Sequence, residues 1–134
     1  MRKKLMLLAA FAPLAFAQTT VSYTFNGLPV PIYPDDWDVI SVVRLYVPRS
    51  IVINNVTASV QVQYSGAEDL NIYLYSPIGT RTKLLERNCG SLTNIDTTFD
   101  DAAPQMFNQV CPQPGSAPYR GNEPLANSQW PSST

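Results

Sequence analysis

The chain has 134 residues, nine basic against ten acidic side chains for a formal net charge of −1, and no histidine. With no imidazole to take a nucleophile's proton or to ligate zinc, Ser-His-Asp and Cys-His hydrolases and zinc peptidases are excluded. With no basic run or stripe beyond Arg2-Lys3-Lys4 at the N-terminus, nucleic acid and anionic membrane surfaces are poor partners.

The N-terminus sets the compartment. Arg2, Lys3 and Lys4 form a positive n-region, Leu5 to Leu14 is apolar apart from the break at Pro13, and Ala15-Phe16-Ala17 is a small-x-small cleavage site. Together these read as a secretory signal peptide over residues 1–17, with Gln18 as the mature N-terminus. The run is shorter than the roughly 20 apolar residues of a membrane span, so no membrane insertion is expected after cleavage. The expected location is secreted or extracellular, or else the periplasm or cell surface. Removing the three N-terminal cations leaves six basic residues against ten acidic ones, near −4. What remains is enough chain for one domain with a core of its own.

The first apolar segments of the mature chain alternate. Val43, Leu45 and Val47 interleave with Val42, Arg44 and Tyr46, and Ile51-Val52-Ile53 leads into Asn54-Asn55, a polar pair suited to a turn. Val56 to Tyr64 is the clearest strand, with Val56, Ala58, Val60, Val62 and Tyr64 on one face and Thr57, Ser59, Gln61 and Gln63 on the other. One dry and one wet face is the pattern of an antiparallel sheet. After the loop Ser65-Gly66-Ala67-Glu68, Leu70, Ile72 and Leu74 share one side of a second strand that runs to Tyr75. Ser76-Pro77-Ile78-Gly79 is a turn with proline second and glycine fourth, and Thr80 to Leu85 returns as its partner in a hairpin. Tyr73 and Tyr75 fall opposite the leucines; residues so placed more often pack against a neighbouring strand or a covering loop, and the competing reading is a binding face for a polypeptide or a sugar.

Past Glu86 the composition turns polar. Asn88 to Asp101, rich in Asn, Thr, Asp and Gly, and the proline-rich stretch from Pro104 to Thr134 predict long loops and no helices. Phe99, Met106, Phe107, Val110 and Tyr119 are spaced as anchors that tie these loops to the core, and Trp37 and Trp130 read as core or loop anchors. Cys89 and Cys111, the only cysteines, are an even pair in an exported chain and are expected to form a disulfide. No segment shows sustained helical periodicity, so the fold class is all-β.

Chemistry beyond histidine is limited to carboxylates. Glu68, Asp69, Glu86, Asp96, Asp100 and Asp101 formally offer an acid/base pair, but nothing in the sequence turns two of them toward a cleft. Asp96, Asp100 and Asp101 are better candidates as calcium ligands on an irregular loop, against the plainer reading of solvated turn residues; the spacing is not that of an EF-hand. Asn55-Val56-Thr57 fits the N-glycosylation acceptor pattern.

A resemblance emerges from the second hairpin. Asp69-Leu70-Asn71-Ile72-Tyr73-Leu74-Tyr75-Ser76-Pro77-Ile78-Gly79-Thr80 fits D-L-x-I-x-L-x-S-P-x-G-T, and Thr97-Thr98-Phe99-Asp100-Asp101-Ala102-Ala103 looks like T-x-F-D-D-x-A. Both resemble the P domain (P/Homo B domain) that follows the catalytic domain of subtilisin-like proprotein convertases and kexins, in its bacterial form. Ile32-Tyr33-Pro34-Asp35 and Tyr119-Arg120-Gly121-Asn122-Glu123-Pro124-Leu125 are similar to its entry and later segments. The defining positions here are Asp69, Leu70, Ser76, Pro77, Gly79 and Thr80. Tyr64 stands where the family often has histidine.

The resemblance implies a jelly-roll-like antiparallel β-sandwich, galactose-binding-like, over residues 31–134, after the signal peptide and a leader at 18–30. It implies a non-catalytic accessory module that stabilises a serine endopeptidase or binds protein, with calcium as an associated ion. The implied partners are a protease catalytic domain or a polypeptide substrate. The sequence is expected to lack the family's closing strands and to have no protease domain before the module, which predicts self-association through an open sheet edge. The competing expectations are a surface structural or adhesive module and a truncated gene fragment.

Overall fold

The computed structural model describes residues 20–27, 29–32, 40–46, 53–116 and 118–128. The signal peptide, Trp37, the segment from Val47 to Val52 and Trp130 lie outside the described residues. Four strands, β1 (Ala58–Gln63), β2 (Asn71–Tyr75), β3 (Arg81–Glu86) and β4 (Asn94–Phe99), pair as two antiparallel ribbons, β1 with β4 and β2 with β3. The all-β expectation holds among the described residues, where helix is limited to single turns.

β1 carries its expected faces. Ala58, Val60 and Val62 are partly buried while Ser59, Gln61 and Gln63 are exposed. Its partner is a strand that the sequence reading assigned to a polar loop. In β4, Ile95, Thr97 and Phe99 point inward and are buried, in alternation with the half-covered Asn94, Asp96 and Thr98. Only two of the three inward residues are apolar, so the period-two signal was weak. The outward polar residues are matched across the ladder: Ser59 and Thr98 hydroxyls hydrogen-bond at 2.8 Å, and Gln61 faces Asp96.

The β2–β3 hairpin forms as expected from its turn. Gly79 N–H donates to the Ser76 carbonyl at 2.9 Å, and the Ser76 hydroxyl accepts from Thr80 N–H at 3.1 Å. Gly79 sits at φ +86°, a left-handed conformation that costs a residue with a Cβ about 1–2 kcal/mol. The register runs Ile72 to Leu85 and Tyr73 to Lys83, leaving Leu84 as an extra residue on β3. That irregularity lets both Leu84 and Leu85 be buried, where strict alternation would expose one of them.

Residues 40–46 contain no strand. Ile40, Val42, Val43, Leu45 and Tyr46 are all exposed, and no described strand pairs with them. Alternation states which faces a strand would have and supplies no partner for it, and strand preference depends on that partner.

The two ribbons bury one common core of Leu70, Leu84, Leu85, Ile95, Phe99, Phe107, Tyr119 and Leu125, lined by Val60, Val62, Ile72 and Leu74. The anchor residues explain much of it. Phe107 lies with its ring centroid 5.7 Å from Phe99 and 6.0 Å from Tyr119, edge-on to the latter. Each such pair contributes roughly 0.5–1.5 kcal/mol beyond the area it buries. Met106 is partly buried, and Val110 is exposed and anchors nothing.

Phe107–Val110 forms one turn of α-helix, α1, and Leu125–Asn127 a 3₁₀ turn, where the sequence predicted loop alone. Cys89, in the loop after β3, is joined to Cys111 at the end of α1, with Cα atoms 5.3 Å apart. Both half-cystines are left-handed, at φ 70° and 48°, a conformation that single non-glycine residues adopt at a cost.

Candidate functional site

Most of the motif residues act on the fold. Leu70 is buried in the core, and Ala67 to Asp69 form a 3₁₀ turn that delivers it there. Ser76, Gly79 and Thr80 build the hairpin turn described above, with Pro77 exposed at its tip.

The Asp-Asp pair closes the chain on itself. Asp100 Oδ1 accepts from Ala102 N–H at 2.9 Å. Asp101 reaches 24 residues along the chain, its two oxygens accepting from Leu125 N–H at 2.7 Å and Ala126 N–H at 2.9 Å. Those two amides open the 3₁₀ turn and would otherwise lack an acceptor in that turn. Asp96 lies on β4 opposite Gln61. The structure thus brings Asp100 and Asp101 together, engages both with backbone donors and leaves Asp96 on a separate element. Among the described residues no three His, Cys, Asp or Glu side chains are grouped to hold a metal ion.

The segment Tyr119–Ser128 is a strap that sequence reading noticed only as a weak motif. Tyr119 N–H donates to the Thr98 carbonyl and its own carbonyl accepts from Asp100 N–H, both at 3.0 Å, extending the edge of β4. Three residues on, Asn122 N–H donates to Leu84 O at 3.1 Å and Glu123 N–H to Lys83 O at 2.9 Å, while Glu123 Oε2 accepts from Lys83 N–H at 2.8 Å. The strap therefore covers the outer edge of β3 as well, and the Ser128 and Thr82 hydroxyls, both buried, hydrogen-bond at its far end. Gly121 is where it crosses Leu84: a Cβ there would lie 3.2 Å from Leu84 Cα and 3.3 Å from its carbonyl oxygen.

The tyrosine face is on the other side of the hairpin. Tyr75, 59 % exposed, faces Arg81 across the ladder, and the Arg81 guanidinium lies 4.6 Å from the ring centroid of Tyr73. That cation–π contact contributes about 0.5–1 kcal/mol at an exposed site. Lys83 beside them is bound to Glu86 at 2.6 Å, and that hydrogen bond, with the charge of Glu86, holds the ammonium above its ordinary pKa. Arg81 has no carboxylate within salt-bridge distance among the described residues. The face is thus an aromatic pair with one cation that no side-chain carboxylate among the described residues neutralises, chemistry suited to binding.

In this β-rich, disulfide-braced segment the signature residues build turns and ties. Residues 53–111 match the family model of the proprotein convertase P-domain, which identifies this part of the chain as P-domain sequence. The match spans all four strands, both cysteines and α1, and ends before the strap. No curated protein and no solved structure matches the chain.

Proposed function

We propose that this chain is an exported, non-catalytic accessory module of the P-domain type, completed as a jelly-roll-like β-sandwich, which acts by binding polypeptide. The bound chain is the surface of a subtilisin-like catalytic domain or a substrate held for it. The observation that carries this reading is the Tyr73–Tyr75–Arg81 face, because it lies on the signature hairpin and its residues are not needed to fill the core. Tyrosine and arginine are the side chains in which binding energy concentrates at protein interfaces.

Reduced, alkylated albumin serves as a denatured polypeptide probe. Binding to it is expected to weaken roughly fivefold or more in Tyr75→Ala and in Arg81→Gln, as loss of a contact worth over 1 kcal/mol requires. Absence of binding by the unaltered chain, both to this probe and to a subtilisin-like catalytic domain, would remove the proposal.

A second reading, self-association as a surface module, is supported by the exposed apolar run from Ile40 to Tyr46. A mass independent of concentration in sedimentation equilibrium would eliminate it.

A further inference from the structure

Between the loop that carries Asp101 to Met106 and the strap lies an open cleft of about 300 Å³, lined by Asp101, Met106, Arg120, Gly121, Asn122 and Pro124. That volume is at the lower end of the range for small-ligand sites, so the cleft accepts a short stretch of a ligand and not a bulky one.

Its polar groups are only partly used. Each Asp101 oxygen accepts one N–H and retains a second lone pair. Arg120 donates from Nη2 to the Pro104 carbonyl at 3.4 Å, a long bond, and has no carboxylate within salt-bridge distance among the described residues. Its guanidinium therefore has donors to spare. Asn122 Oδ1 is shielded from solvent with no hydrogen-bond partner, so the amide beside the cleft is under-satisfied. Met106 and Pro124 supply apolar surface.

A carboxylate and a guanidinium in one small cleft select against simple ions. An anion drawn to Arg120 meets the charge of Asp101, and a cation meets the reverse. A neutral group that donates and accepts at once satisfies both, and the peptide unit is that group. The backbone around the cleft is already fixed: Arg120 N–H donates to Gln105 O at 2.8 Å, Phe107 N–H to Arg120 O at 3.0 Å and Asn122 N–H to Leu84 O at 3.1 Å. Little ordering is left to oppose binding.

The geometry points to this cleft as a docking site for an extended polypeptide segment, whose peptide N–H donates to Asp101 and whose carbonyl accepts from Arg120, with a side chain against Met106 and Pro124. The inference rests on the polypeptide-binding reading above and gives that binding a second contact, away from the tyrosine face.

The test is an amide NMR titration of the full chain with acetyl-Ala-Leu-Ala-amide, run in parallel with sodium acetate and with free glycine. The expected result is saturable shifts at Met106, Arg120, Gly121 and Asn122 with the capped peptide, weakened about tenfold in Arg120→Gln, as loss of a charged hydrogen bond entails. Equal shifts from acetate or glycine would overturn the inference, as would an unchanged affinity in Arg120→Gln. Peptide shifts confined to Tyr73, Tyr75 and Arg81 would overturn the cleft and leave the polypeptide-binding module standing. Failure of the chain to associate with any catalytic domain would count against partnership with a protease and leave the cleft supported by its own shifts.

Discussion

A carboxylate whose two oxygens each accept a backbone N–H from a segment 24 residues away is a structural tie, and Asp101 is placed as one. Asp101→Asn keeps the size of the side chain but can offer only one carbonyl oxygen to the two donors. The expected loss is about 1–3 kcal/mol, read from chemical denaturation. If the tie is the whole role of Asp101, the loss is the same with added calcium as with chelator; a loss confined to calcium-containing buffer would make Asp101 a metal ligand instead. Gly121→Ala forces a methyl group against the Leu84 backbone, which moves less readily than a side chain. A destabilisation of roughly 1–3 kcal/mol is expected from the overpacking, and an unchanged denaturation midpoint would show that the strap does not press on β3. Lys83 titrates above its ordinary value because of Glu86, so its contribution is complete at neutral pH and fades only as pH rises past about 10.5 through the folded value. Melting curves between pH 7 and 9 should therefore be indifferent to Lys83→Met apart from a constant offset.

Among the elements, those whose two faces differ in polarity were legible from sequence. β1 and the β2–β3 hairpin have alternating apolar residues on one side, so their faces could be read, and the Ser76–Gly79 turn also gave β2 its partner, whereas the partner of β1 could not be read. β4 was not legible, because Thr97 faces inward and its flanks carry Asn94, Asp96 and Thr98, so that segment resembles a loop until β1 is beside it. Ile40 to Tyr46 erred the other way: its alternation was clear, and the structure gives it no strand partner among the described residues. The tyrosine face was visible because Tyr73 and Tyr75 sit out of phase with the leucines. Arg81 was missed as its third member, since only the register shows that it faces Tyr75 and reaches Tyr73. The strap depends on contacts between residues 24 to 46 positions apart, which no local pattern encodes. At this scale the disulfide is the simplest element to remove. Cys89 and Cys111 are 22 residues apart, and replacing both with Ser should cost about 3 kcal/mol in the chain-entropy account. A loss under about 1 kcal/mol would mean that α1 and the loop after β3 are held by packing alone.

For the molecule as a whole, one core serves two ribbons, and within it Phe107 packs against Phe99 of β4 and Tyr119 of the strap. Phe107→Ala is expected to cost about 3–5 kcal/mol, much of the total stability of a domain this size. The matched P-domain segment covers both ribbons, and the strap beyond it ties them together, so the accessory reading requires the whole of Ala58 to Ser128. The stabilising role proposed for this chain has a thermodynamic signature, because a ligand that prefers the folded state raises the apparent stability of that state. The most direct measurement is the melting temperature of a subtilisin-like convertase catalytic domain, inactivated at its serine, with and without a saturating amount of this chain. The account predicts a rise with the unaltered chain and a smaller one with Tyr75→Ala or Arg81→Gln. Identical melting temperatures, with no complex detected by sedimentation, would contradict it.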